Sequence, residues 1–272
     1  MSLAIVTATT SLKRAEDCLA TWWGDVPIYV VVNGSRNEVA NVPAQIRLID
    51  GGDYLGSVAA FAKGVDQALA DGVEIIACLH DDLAIHDRAW AQKVEGHFKR
   101  NPACGLLGFG GAIGLGAADI YQIPYEPMQL ARVGFRSNLV DAEVHGLRSL
   151  LPERVACLDG FSQIGRADFW RGIPNPQHGG DHPPKPVLWQ LRDHGMVHHA
   201  YDSALGLAAA IDGWEVWYLP IRAHHFGGRT AVGDAGYQAW AHTQTDGGDH
   251  GFWETAHKAL YELGRGTLPI RV

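Results

Sequence analysis

Two hydrophobic periods alternate along the first hundred residues. Short apolar runs at 3–9, 27–33 and 45–50 read as strands, the first of them buried. Between the first two, residues 12–23 read as a helix, with the hydroxyls of Thr7, Thr9, Thr10 and Ser11 placed to cap it. Leu55, Val58, Ala62, Val65 and Leu69 recur at spacings of three and four, which predicts a helix over 54–70, ended by Asp71-Gly72. The apolar run from Glu74 reads as a fourth, buried strand that ends in His80-Asp81-Asp82. Asp87 stands as an N-cap for a helix over 88–99, which Asn101-Pro102 stops.

Residues 104–109 read as a further strand, and 110–151 as an irregular stretch holding Tyr121, Tyr125, Phe135 and the polar run 141–148. A strand over 154–161 delivers Asp159. Five prolines lie between 174 and 186, together with His178, Asp181, His182 and Lys185, a composition suited to a binding loop or lid. A helix over 201–211, a final strand over 214–219 and a last helix over 252–263 complete the pattern. Strand–helix alternation of this kind predicts an α/β class: a mostly parallel, doubly wound central sheet with helices on both faces. Its ligand site is expected at the C-terminal ends of the strands. Asp81 and Asp82 fall at that edge, where carboxylates either hold a hard cation or cap the next element.

Composition narrows the class. The chain has 272 residues, 47% hydrophobic and 19% charged, as expected of a folded globular protein. There is no run of about 18 apolar residues and no basic leader, so a cytoplasmic protein without a membrane span is expected. Cys18, Cys78, Cys104 and Cys157 form no Cys-x-x-Cys pair and read as reduced, buried thiols. A net charge of −8 weighs against a broad nucleic-acid surface. No Gly-x-x-x-x-Gly-Lys-Ser/Thr occurs, and the run 108–116 fails Gly-x-Gly-x-x-Gly, which disfavours an ATPase or a dehydrogenase.

The order of several short segments carries a resemblance. A first strand ends in Thr-rich residues. Val-Val-Asn33-Gly34, Gly51-Gly52-Asp53-Tyr54-Leu55-Gly56, a helix through Lys63-Gly64, and His80-Asp81-Asp82 follow. Asp159-Gly160-Phe161, Tyr201-Asp202 at a helix start, and His224-His225 before Gly227-Gly228-Arg229-Thr230 complete the order. Over roughly residues 3–230 this resembles the family-two inverting glycosyltransferases with the GT-A fold. The resemblance implies one GT-A-like domain over 1–272. Within it, 1–103 would be the nucleotide-sugar-binding half, 104–230 the acceptor-side half and 231–272 a C-terminal extension.

The same resemblance implies a metal-dependent transfer, with Mn²⁺ or Mg²⁺ as cofactor and a nucleotide-diphosphate sugar, a UDP-sugar by preference, as donor. Asp82 corresponds to the last carboxylate of the family's Asp-x-Asp motif and is expected to bind metal, with His225, or else His224, as a second ligand. His80 replaces the motif's first Asp and has no assigned role. Asp202 is expected to be the base, in a Glu-Asp pair that here reads Tyr201-Asp202; the plain alternative is a helix N-cap. Thr7, Ala8, Thr9, Asn33, Gly52, Asp53, Gly56, Lys63, Asp81 and Arg229 are expected on the donor. Asp159, Gly160 and Phe161 are expected on the acceptor side, and Trp170, Trp189 and Tyr201 as stacking surfaces.

Other readings stay open. A sugar-phosphate nucleotidyltransferase would need a Gly-rich, basic loop after the first strand, which 7–11 lacks. A metal-dependent hydrolase built from His/Asp clusters and a non-catalytic sugar-nucleotide or glycan-binding module are the remaining alternatives. His178, His182, His194, His198 and His199 crowd one stretch, yet no His-Glu-x-x-His occurs there. The acceptor is expected to be soluble: a small molecule, glycan, protein or modified nucleic-acid base. Arg132, Arg136, Arg148 and Lys185 are offered for a groove in the last case. Donor base, acceptor and oligomeric state are left undetermined by the sequence.

Overall fold

A computed structural model describes residues 1–22, 24–34, 45–116, 132–140, 146–178, 183–227 and 234–272. The elements run β1 (Leu3–Thr9), α1 (Leu12–Leu19), β2 (Ile28–Val32), β3 (Ile46–Asp50), α2 (Gly56–Ala70), β4 (Ile75–Leu79), β5 (Leu83–Ile85), α3 (Trp90–Arg100), β6 (Cys104–Gly108) and β7 (Gly110–Leu115). Next come β8 (Arg132–Ser137), β9 (Leu147–Arg148), β10 (Glu153–Arg154), β11 (Cys157–Leu158), β12 (Ser162–Arg166), α4 (Ala167–Trp170), α5 (Val187–Asp193) and α6 (Tyr201–Ile211). The chain closes with β13 (Glu215–Tyr218), β14 (Ala223–His225), α7 (Ala235–Gln244), α8 (Asp249–Leu263) and β15 (Ile270–Arg271).

The main sheet has eight strands in the order β10-β13-β6-β12-β4-β1-β2-β3. Parallel ladders join β4, β1, β2 and β3, and a parallel ladder joins β6 to β13. β12 runs antiparallel between β4 and β6. The expected α/β class, mostly parallel and doubly wound, is what the chain forms. Period-two alternation sorts the strand residues between two cores. Ala4, Val6, Ile76 and Cys78 face α2, α5 and α6, while Leu3, Ile5, Ile75, Ala77 and Leu79 face α3 and Leu12 of α1. Each large apolar side chain buried there, such as Trp90, Trp170 or Phe98, contributes about 1.5–3 kcal/mol relative to exposure.

Several expectations are corrected. The region 110–151 is not irregular throughout: β7, β8 and β9 form a second sheet with β11, and β15 adds to β7. Gly110-Gly-Ala-Ile-Gly gives such a strand no side-chain signature. Its glycines are required because a Cβ at Gly110 would press on Phe161, and one at Gly111 on the carbonyl of Cys157. The expected strand over 154–161 is instead two short strands, β10 and β11, with β12 beginning after Phe161. The strand expected to end at His80-Asp81-Asp82 does so as β4, and beyond it a turn closes from Leu83 N–H to His80 O at 3.2 Å before β5. β13 is not the last strand, and α7 stands where a Gly-rich connection was expected.

Capping is also redistributed. Ser11 is the N-cap of α1 but makes no side-chain capping bond. The N-cap of α3 is Ala89, with Asp87 Oδ1 accepting the Ala89 N–H at 3.0 Å. All four cysteines are free and buried. No helix among the described residues is long and apolar enough to cross a membrane.

Candidate active site

The C-terminal ends of β1, β2 and β4 and the N-terminal end of β12 share one edge of the sheet, because β12 is reversed and Ser162 pairs with Leu79. His80 N–H donates to Phe161 O at 3.0 Å. The exit of β4 and the entry of β12 are therefore stitched together, which sets His80-Asp81-Asp82 beside Asp159-Gly160-Phe161.

A two-stranded antiparallel ladder brings a third segment to this point. β14 pairs with β5, matching His225 to Leu83 and His224 to Ala84, and Phe226 N–H donates to Asp82 O at 3.1 Å. Neighbouring residues of a strand face opposite ways. His225 meets the Asp82 carboxylate, with Nε2 3.2 Å from Oδ1, whereas His224 stacks on Phe226 with ring centroids 4.0 Å apart. His80 Nδ1 lies 3.9 Å from the same Asp82 oxygen. One ligand atom from each of His80, Asp82 and His225 lies within 4.8 Å of the others.

This donor set fits a divalent cation. Nε2 of His225 is buried and has no well-formed hydrogen bond, an arrangement that costs free energy unless something else takes the lone pair or proton. Phe161 covers the His225 ring at 4.8 Å between centroids. Burial and the neighbouring His225 hold His80 below its usual range, against the pull of Asp82, Asp159 and Asp202, so its imidazole is neutral and able to ligate.

Tyr201 joins the two halves of the site. Its hydroxyl lies 2.9 Å from His80 Nε2 and 3.2 Å from Gly160 O. Burial, then the charges of Asp202 and Asp159, push the phenol well above its ordinary range, so it keeps its proton. A carbonyl can only accept, and the phenol has one proton. Both contacts are satisfied when Tyr201 donates to Gly160 and His80 donates from Nε2. That tautomer leaves the Nδ1 lone pair of His80 on the Asp82 side. Gly160 permits the contact: a Cβ there would come within 2.8 Å of the Tyr201 hydroxyl.

Asp202 is not the N-cap of α6. That position is Ala200, at φ +57°, and Asp202 sits buried in the first turn. Its Oδ1 accepts the Ser203 N–H at 2.7 Å, and its Oδ2 accepts the Gly160 N–H at 3.2 Å. Arg132 Nη1 reaches the same Oδ2 at 3.0 Å and Asp159 Oδ2 at 3.4 Å. The two carboxylates, Asp202 foremost, hold the guanidinium protonated far above neutral pH.

On the donor side the expected residues divide. Thr9 Oγ1 lies 2.6 Å from Asp81 Oδ2, which ties the end of β1 to the His-Asp-Asp segment. Thr7 is fully buried with its hydroxyl unpartnered, and Ala8 is partly exposed beside it. Asn33 is buried, and its Oδ1 accepts the Leu55 N–H at 2.7 Å, closing the turn into α2. Gly52, at φ +74°, donates to Asp50 Oδ1 at 2.9 Å, and Asp53 beside it is exposed. Lys63 Nζ lies 3.4 Å from Gly51 O. Gly56 has φ +73°, and a Cβ there would meet Val197 at 2.4 Å, so this glycine serves the contact between α2 and the segment before α6. Arg229 lies outside the described residues, as do Tyr121, Tyr125, Asp181 and His182.

Other expected contributors fall elsewhere. Trp170 is core, its Nε1 donating to Ile76 O, and Trp189 donates to Asp66 on α2. The cations offered for a nucleic-acid groove are engaged with neighbours: Arg132 as above, Arg136 with Glu153, Arg148 with Asn138 and Lys185 with Asp193. Sequence reasoning missed the pairing of Arg132 with Asp202, the bridging role of Tyr201, and Asp234. Asp234 accepts from Thr10 Oγ1 at 2.6 Å and from Tyr54 at 3.2 Å while capping α7. These contacts join segments up to 224 residues apart and have no local signature.

No protein-family model and no curated protein matches the chain. Distant likenesses exist among solved structures. The mannosyltransferase PcManGT from Pyrobaculum calidifontis, in complex with GDP-Man and Mn²⁺, has a TM-score of 0.46 at 13% identity, over 97% of this chain and 70% of that one. A mannose-1-phosphate geranyltransferase from Thermus thermophilus has a TM-score of 0.37 at 16% identity, over 85% and 78%. A CMP:2-keto-3-deoxy-manno-octonic acid synthetase complexed with CTP has a TM-score of 0.39 at 9% identity, over 82% and 90%.

Proposed function

We propose that the chain is a cation-dependent, inverting glycosyltransferase of GT-A type, moving a sugar from a nucleotide-diphosphate sugar to an acceptor hydroxyl. The observation that supports this most is the meeting of His80, Asp82 and His225 at the C-terminal sheet edge, linked through Tyr201 to Asp202. Asp82 and His225 would hold Mn²⁺ or Mg²⁺, with His80 as a third ligand. When bound, such a cation neutralises the charge that builds on a leaving diphosphate.

The chain's own groups supply the rest. Asp202 takes the proton of the acceptor hydroxyl as its oxygen attacks the anomeric carbon. The electron pair of the breaking bond leaves with the diphosphate, and the anomeric centre inverts. Arg132, Gly160 N–H and Ser203 N–H hold the carboxylate in place. Asp81, held by the buried Thr9, would face the nucleoside, Arg229 the diphosphate and Asp159 the acceptor, with the buried Phe161 backing the His225 ring.

A UDP-, GDP-, ADP- and dTDP-sugar series, assayed for Mn²⁺-dependent thermal stabilisation and for hydrolysis or transfer, tests the reading. Asp82→Ala should abolish cation-dependent binding. Asp202→Asn should keep donor binding and lower transfer by about 10²–10⁴-fold. Turnover without any nucleotide would instead indicate a hydrolase, and glycan binding with neither metal dependence nor turnover a binding module.

A further inference from the structure

A second cluster of metal-binding side chains lies outside the site above. His198 and His199 stand immediately before α6, and Asp249 is the first residue of α8. One ligand atom from each lies within 4.8 Å of the others. His199 Nε2 is 2.8 Å from Asp249 Oδ1, and the two imidazoles are perpendicular with centroids 4.9 Å apart. A tetrahedral zinc site with bonds of about 2.0–2.1 Å spaces its ligand atoms by roughly 3.3 Å, so small side-chain movements would suffice.

Outer partners are in place for two of the three ligands. Ser57 Oγ lies 2.6 Å from His198 Nδ1, which engages that nitrogen and leaves Nε2 as the other donor. Tyr237 donates to Asp249 Oδ1 at 2.6 Å, orienting the carboxylate. Hydrogen-bonded outer groups of this kind fix ligand tautomer and direction. Ala200, next in the chain, is the one non-glycine at positive φ among the described residues, and the turn it makes delivers the His pair and α6 together.

We propose that His198, His199 and Asp249 form a second transition-metal site of zinc type. It fastens α8 to the segment that leads into α6 and Asp202. Two imidazoles and one carboxylate are a donor set suited to Zn²⁺ or Co²⁺ with one position open to water. The cation takes the place of the hydrogen now between His199 Nε2 and Asp249, and the neutral imidazole then carries its proton on Nδ1.

The test uses the full chain carrying Asp82→Ala and His225→Ala, which removes the first cluster and makes the result independent of any transfer activity. Co²⁺ should bind with one equivalent and tetrahedral d–d absorption. Zn²⁺ at a hundredfold excess over Kd should raise Tm by about 5–10 °C, reversed by chelator. Adding His199→Ala should abolish both responses. Asp249→Asn, which keeps an oxygen for Tyr237, serves as the second variant should His199→Ala fail to fold. Absence of Co²⁺ absorption in the Asp82→Ala/His225→Ala protein overturns the proposal, as does binding that survives loss of either ligand.

Discussion

The guanidinium of Arg132 meets the carboxylate of Asp202 at 3.0 Å, across 70 residues of sequence and between β8 and the first turn of α6. The partner side chains are 33% and 12% exposed, so the pair is neither fully screened nor fully desolvated. Arg132→Met leaves Asp202 and Asp159 without their shared cation. The expected loss is about 1–2 kcal/mol, below that of a wholly buried pair. Denaturant unfolding of Arg132→Met, Asp202→Asn and the double variant should show a coupling above about 0.5 kcal/mol. Additive effects would mean that the two groups do not sense each other.

His225 and His224 are adjacent yet face different surroundings. His225→Ala should weaken cation-dependent nucleoside-diphosphate binding by at least about tenfold, while His224→Ala leaves it within roughly twofold. Titration calorimetry with Mn²⁺ present decides the matter, and equal losses from both variants would refute the assignment of His225.

Gly56 carries two burdens at once, a positive φ and the contact with Val197. Gly56→Ala should cost about 2–4 kcal/mol, combining left-handed backbone strain with overpacking. A drop in the denaturant midpoint at unchanged slope is the expected signature.

His97 makes acid stability a local property of α3. It is buried against Trp217, with Nε2 unpartnered, and burial followed by Arg100 pushes it down to about 4. The folded protein holds it neutral, whereas the unfolded chain protonates it near pH 6.5. Stability should therefore fall as pH drops from about 6.5 towards 4, by up to about 1.4 kcal/mol per pH unit from this residue. His97→Leu should flatten that slope when unfolding is compared at pH 5 and pH 7. An unchanged slope would assign the acid sensitivity elsewhere.

Much of the sheet was legible because its central strands β1, β2 and β4 are buried on both faces. Apolar runs such as 3–9, 28–32 and 75–79 declare themselves without help from tertiary contacts, as does the three-four spacing of α2. The glycine-rich β7 was not legible, because residues without side chains have no periodicity to show. α7 was missed since its only buried residues are Tyr237 and Ala241, too few to draw an apolar stripe. Within the site, the residue types at Asp82, Asp202 and His225 suggested ligating and basic chemistry, whereas His80 offered no role on sequence alone. The choice between His224 and His225 needed the β5–β14 register, and the Arg132 and Tyr201 contacts needed the fold itself.

The reversed strand β12 has a mechanical consequence. Since it is bonded to β4 on one side and β6 on the other, the groups at the end of β4 and those at the start of β12 belong to one continuous ladder. Their spacing is held by backbone hydrogen bonds rather than by the closing of a hinge. A change in the gap between His80 and Phe161 would require unzipping the middle of the sheet. Under the proposed function, adaptation to acceptors of different size would fall to the side chains and connections around the rim.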